Sequence, residues 1–249
     1  MTRIASTESL PVVGLSERLA ALDLVALRTE FEANEEFIAI PDFLPGDELS
    51  LLLAALPLLE SRVHRNFIPG HKKGGSLSRY ELDAHAPAFA AFYGNATLLS
   101  FLEGLCGRAL MPCPADDPHT YALYYYTEAG DHIGFHYDTS YYTGARYTVL
   151  LGLIDQSSCR LEYELFRDND QRATVSGAIA ISPGTLVVFN GDKVWHRVTP
   201  AGHGERRVVL TLEYVTSLGM HPVRRFVSNM KDAIAYFGFR QVFSGSKRH

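Results

Sequence analysis

A chain of 249 residues with 47% hydrophobic content can bury a sizeable core, which excludes global disorder. Its formal charge of −5 and pI near 6.0 exclude the basic footprint of a phosphate-backbone binder, so no nucleic-acid partner is expected. No run reaches the roughly 18 apolar residues of a membrane span, so no membrane partner is expected either.

Residues 1–14 read as a lead-in without a signal-type apolar run. From Ser16, a candidate N-cap, Leu19, Leu22, Leu24, Leu27 and Phe31 recur at helical spacing and predict one helix. Residues 37–40 form a short apolar strand ended by Pro41-Asp42. A leucine-rich helix is predicted over about 46–60, kinked or ended by Pro57. Residues 63–84 are polar, and the glycine-containing run 71–76 is predicted to be a mobile loop and a candidate lid. A third helical stretch spans about 87–106.

Beyond it the pattern changes. Segments 121–127, 133–137, 146–154, 160–166, 177–181, 185–189, 194–198 and 207–216 are short and rich in β-branched and aromatic residues. Turn chemistry such as Pro183-Gly184 separates them. About eight strands at this spacing predict two facing antiparallel sheets, a jelly roll. A last helix over about 224–237 is expected on the outside, followed by a solvated basic tail at 244–249. The expectation is one domain over 1–249, mainly β with flanking helices: a helical part at about 15–110, then a jelly-roll core at about 120–216. Cys106, Cys113 and Cys159 lack CxxC spacing and suit a reducing, cytoplasmic setting.

The segment from His132 to Asp138 carries the clearest chemistry. Side chains at i and i+2 of a strand share a face, so His136 and Asp138 present an imidazole and a carboxylate together. A third ligand is available from His196, which follows a hairpin signal at Asn190-Gly191. Two imidazoles and one carboxylate leave open positions on a metal, the facial arrangement used for iron(II) oxygen chemistry. One His-x-Asp match is weak by itself, and its company strengthens it. Next comes Arg206-Arg207. On that strand Val208, Leu210, Leu212 and Tyr214 form an apolar face, and Arg207, Val209, Thr211 and Glu213 a mixed face suited to a cavity. If the co-substrate is a dicarboxylate, Arg207 is the candidate for its far carboxylate, with Arg206 read as a surface charge.

Together these residues resemble the 2-oxoglutarate- and iron(II)-dependent oxygenase superfamily, whose fold is a double-stranded β-helix. The likeness covers about 121–216: His136-x-Asp138, distal His196, then Arg207 eleven residues on. Tyr126 matches a tyrosine that in several members lies beside iron and co-substrate, and 37–44 looks like the entry to the domain. A closer likeness, through 124–132 and 146–153, is to the carrier-free amino-acid halogenases and their hydroxylase relatives. Those halogenases replace the carboxylate ligand by glycine to admit chloride; here the position is Asp138, so the resemblance implies hydroxylation. It implies Fe(II), 2-oxoglutarate and O2, and as substrate a small molecule, a free L-amino acid. Candidate substrate residues are Glu213 and Thr211, His132 on the expected face of His136, and Arg79 as an α-carboxylate clamp. Glu213 would take an α-ammonium or a basic side chain, and His132 has the alternative of orienting a ligand. The competing readings are a zinc-dependent cupin-like hydrolase or isomerase and a non-enzymatic jelly-roll binding module.

Overall fold

A computed structural model describes residues 14–114, 117, 120–140 and 142–219. The expected helix at 224–237 and the basic tail lie outside the described residues. The first predicted helix is two, α1 (Leu15–Ala20) and α2 (Leu24–Ala33). Asp23 makes the break, because its carboxylate accepts the Ala26 N–H at 3.0 Å and starts a new helix. Pro57 stays inside α3 (Gly46–Leu59), near its end, so it neither shortens nor splits it. The stretch 79–106 holds three helices, α4 (Arg79–His85), α5 (Pro87–Tyr93) and α6 (Ala96–Cys106). Asn95 caps α6 by accepting the Thr97 and Leu98 N–H groups at 2.9 and 3.0 Å, and Gly107, at φ 63°, ends it.

The described residues form twelve strands: β1 (Phe37–Ile40), β2 (His64–Ile68), β3 (Lys72–Ser78), β4 (Met111–Pro112), β5 (Tyr121–Tyr126), β6 (His132–His136), β7 (Arg146–Gln156), β8 (Leu161–Leu165), β9 (Val175–Ile179), β10 (Leu186–Asn190), β11 (Trp195–Val198) and β12 (Arg206–Val215). They pair in the order β1-β10-β7-β12-β5-β3-β6-β11-β8-β9, with β2 on β3 and β4 on β12. The pairing is antiparallel throughout. The sheet folds on itself, so inner residues of β5, β7 and β12 meet those of β6, β8 and β11 around one cavity. This is the jelly roll expected, as one curled sheet.

Strand period separates the two faces of its major half. On β12, Val208, Leu210, Leu212 and Tyr214 enter the core that the helices cover, beside Leu52, Leu56, Phe89 and Leu102. The alternate residues, Arg207, Val209, Thr211 and Glu213, line the cavity. Inside, Tyr126, Ile133, Leu150, Leu161, Val198 and Val209 belong to a second apolar cluster. Cys106, Cys113 and Cys159 are buried free thiols. Among the described residues no helix is long and apolar enough to cross a membrane.

Two sequence expectations are corrected here. Residues 72–76 are not a mobile loop or a lid. They belong to β3, which pairs with β2, β5 and β6, and Gly74, Gly75 and Ser76 are all buried. A Cβ on Gly75 would lie 2.4 Å from Val63 Cγ1 and 3.2 Å from Tyr125 Cβ, so glycine marks close approach rather than freedom. Nor is Asn190-Gly191 a hairpin. β10 pairs with β1 and β7, whereas β11 pairs with β6 and β8, so the chain crosses from one half of the roll to the other. Gly191 is needed instead for its contact with Asp138: a Cβ there would lie 2.6 Å from the Asp138 carbonyl oxygen and 2.8 Å from its Cβ.

Candidate metal centre and its cavity

β6 and β11 are neighbours, and His136 sits opposite His196 in their register. The next paired residues are Ile133 and Val198, three residues from His136 but two from His196, so β6 carries a bulge. The extra residue shifts the parity of β6. Ile133 therefore shares the cavity with His136, and His132 turns away from it. The sequence expectation that His132 shares the face of His136 fails for this reason. Its Nδ1 instead donates to the Gly130 carbonyl at 2.8 Å.

Asp138 follows β6 directly, and one ligand atom from each of His136, Asp138 and His196 lies within 4.8 Å of the others. His136 Nε2 is 3.3 Å from Asp138 Oδ1, and His196 Nε2 is 3.7 Å from Asp138 Oδ2. The Nδ1 atoms of His136 and His196 contact the Gly134 and Val194 carbonyls at 2.8 and 3.0 Å. A carbonyl can only accept, so both Nδ1 atoms carry protons and, in the neutral rings, both Nε2 lone pairs face the carboxylate. Three acceptors converging without a donor between them fit a cation. The Thr148 hydroxyl donates to Asp138 Oδ2 at 2.8 Å and orients it.

The electrostatics agree. Burial opposes the charge on Asp138, but His196, His136 and Arg146 outweigh it and hold the carboxyl well below its usual range. Burial and the neighbouring His136 lower His196 to about 4, so it is neutral at pH 7. For His136 burial also favours the neutral ring, yet hydrogen bonding and attraction to Asp138 raise its pKa.

Arg207 stands in the same cavity, 2% exposed. Its Nε has no hydrogen-bond partner, and among the described residues no carboxylate lies within ion-pair distance of it. Its guanidinium lies 4.9 Å from the centre of the Tyr126 ring. Leaving a buried cation without a counter-charge costs several kcal/mol by general estimates, so the site fits an anionic ligand. Burial lifts the Tyr126 hydroxyl to about 12, keeping it neutral beside that guanidinium.

Tyr126, Thr211 and Glu213 also line the cavity, but Arg79 does not. It begins α4 on the helical side, 3.3 Å from Asp83 and with its guanidinium 5.4 Å from the Tyr121 ring. The carboxylate clamp expected there is therefore corrected: β3 ends at Ser78 and the chain turns outward, away from the cavity. Glu213 is not a solitary acceptor, because Arg146 Nε donates to its Oε2 at 2.8 Å. Sequence reasoning did not single out Arg146 and Thr148. The signal was available in β7, where Arg146, Thr148 and Leu150 form one face and Tyr147, Val149 and Leu151 the apolar other.

No family model and no curated protein matches this chain. Solved structures do. The non-heme alpha ketoglutarate dependent epimerase SnoN from nogalamycin biosynthesis superposes with TM-score 0.63 at 14% identity, over 77% of this chain and 80% of that one. A Trichoplax adhaerens prolyl hydroxylase, in complex with a hypoxia inducible factor peptide fragment, gives 0.63 at 15%, over 86% and 95%. A Pseudomonas putida prolyl-4-hydroxylase gives 0.58 at 18%, over 79% and 100%. The chain has the double-stranded β-helix fold. At these identities the likeness speaks for the fold alone.

Proposed function

We propose that this chain is an Fe(II)- and 2-oxoglutarate-dependent dioxygenase that hydroxylates an unactivated C–H bond of a small substrate, a free L-amino acid. One observation carries the reading: a His136, Asp138, His196 acceptor cluster shares a cavity with a buried guanidinium, Arg207, that has no counter-charge among the described residues. A zinc hydrolase has no need of such a cation, and a simple binding module has no need of the acceptor cluster. The names of the structural neighbours, alpha ketoglutarate dependent and prolyl hydroxylase enzymes, support the same class.

His136, Asp138 and His196 would hold the iron, leaving positions open for co-substrate and dioxygen. When bound, iron and 2-oxoglutarate supply the oxidising power, with succinate and carbon dioxide as co-products. The chain's own residues do the rest. Arg207 binds and orients the far carboxylate of the co-substrate, with Tyr126 beneath it. Thr148 fixes the carboxylate of Asp138, and Leu150, Leu161, Val198 and Val209 exclude water from the walls. Asp138 occupies the position that a chloride would need, which favours hydroxylation over halogenation.

The test is succinate release from 2-oxoglutarate with Fe(II) and ascorbate, with and without each L-amino acid. Turnover that needs Fe(II), fails with Zn(II) and is lost in Asp138→Ala and Asp138→Gly is expected. Incorporation of 18O from dioxygen into the product separates hydroxylation from the other outcomes of this fold. Zinc-supported turnover without 2-oxoglutarate would overturn the reading.

A further inference from the structure

The cavity holds a second guanidinium. Arg146 opens β7, is 6% exposed and lines the cavity beside the metal cluster. Its Nε is tied to Glu213 Oε2 at 2.8 Å, and the Thr148 oxygen, whose proton goes to Asp138, stands 3.2 Å from the same Oε2. A guanidinium has five N–H donors. Among the described residues this bond to Glu213 is the only hydrogen bond of the Arg146 side chain, so the donors of both Nη atoms are left for something else.

Arg146 and Arg207 cannot share one small anion. In the pairing of β7 with β12, Arg146 lies opposite Val215 and Arg207 opposite Asp155. Positions 207 and 215 are about 26 Å apart along the strand at ~3.3 Å per residue. Two arginine side chains, reaching ~7 Å each, leave a gap wider than the ~6 Å span of a five-carbon dicarboxylate. The cluster lies at the Arg146 end, since Thr148, two residues from Arg146 and opposite Glu213, donates to Asp138.

We infer that Arg146 is the anchor for a carboxylate on the substrate, held edge-on by Glu213 so that its Nη donors meet the carboxylate beside the metal. The inference rests on the oxygenase reading for what happens to that substrate, but its geometry stands apart from it. Charge selects the class. Glu213 already offsets the guanidinium and Asp138 is close, so a dianionic phosphate is repelled where a monoanionic carboxylate is accepted. Glu213 presents its carboxylate oxygens beside Arg146, and Thr211 lies on the same cavity face, which suits the ammonium of an α-amino acid. This gives a zwitterion a place for both of its charges and moves the carboxylate clamp from Arg79 to Arg146.

Thermal unfolding tests it on the full chain saturated with Mn(II) and 2-oxoglutarate. One sample receives the twenty L-amino acids as a pool, another their carboxamides. The acid pool should raise Tm and the amide pool should not. For the acid responsible, the half-saturating concentration should rise about ten- to hundredfold in Arg146→Lys, which keeps the charge but loses the planar fork. That for 2-oxoglutarate should stay within about twofold. The double variant R146M/E213Q removes both charges, leaves no orphaned carboxylate and should lose the same response. Equal stabilisation by the amides, no response to the acids, or wild-type acid binding in Arg146→Lys overturns the inference. If Mn(II) and 2-oxoglutarate produce no shift of their own, the oxygenase reading fails instead, and the acid and amide pools still decide the role of Arg146 on the unloaded chain.

Discussion

Replacing Gly191 by alanine tests how Asp138 is held. The new Cβ would lie 2.6 Å from the Asp138 carbonyl oxygen and 2.8 Å from Asp138 Cβ, against ordinary contact from 3.4 Å, so Asp138 must yield by about 0.6–0.8 Å. Metal–ligand distances tolerate only about 0.2 Å. Gly191 does not have a positive φ, so alanine strains the chain through this contact alone. Displacing a ligand or its support weakens metal binding about 10- to 100-fold, and overpacking costs about 1–3 kcal/mol of stability. Titration calorimetry with Mn(II), alongside chemical denaturation of the metal-free protein, separates the two effects. Gly46→Ala is the control, because nothing lies within 4 Å of its Cβ position and its φ is not positive. Wild-type Mn(II) affinity in a folded Gly191→Ala protein would refute the reasoning: Asp138 would then not be a ligand, or not be placed by this contact.

Other perturbations probe the rest of the site. Arg207→Met should weaken 2-oxoglutarate binding about 30-fold or more by calorimetry, through loss of charge-assisted hydrogen bonds, while leaving Mn(II) affinity little changed. His132→Ala should keep Mn(II) affinity within about twofold and His136→Ala should abolish it, since the β6 bulge turns only the latter inward. Mn(II) affinity should fall with a slope of one proton as pH drops through the region above and around 6.5, because His136 is raised there while His196 stays neutral down to about 4. A two-proton slope in calorimetry over that range would contradict the assignment. Gly75→Ala should destabilise the chain by about 1–3 kcal/mol in denaturant, where a mobile lid would tolerate the methyl.

How far the sequence could be read follows from which interactions are local. The face alternation of β12 was legible because every second side chain of a strand points the same way. It placed Arg207, Thr211 and Glu213 on the cavity side. The same rule misplaced His132, because the β6 bulge is defined by its partner β11 and leaves no mark in β6 alone. The glycines at 74 and 75 illustrate the same limit. Glycine permits both freedom and close approach, and only the positions of Val63 and Tyr125 say which applies. Helix breaks at Asp23 and Asn95 depended on cap bonds, which compete with an otherwise continuous helical pattern.

By itself, then, the sequence determined the strands from β5 to β12, the jelly-roll class and the residue types of the cluster, since periodicity and side-chain chemistry are properties of the chain. Tertiary structure decided which polar groups find partners: Arg146 meets Glu213 across 67 residues, Arg79 is spent on the helical layer, and Arg207 meets Tyr126 but no carboxylate among the described residues. Pairing across a folded sheet depends on register and curl, and neither is encoded at any one position.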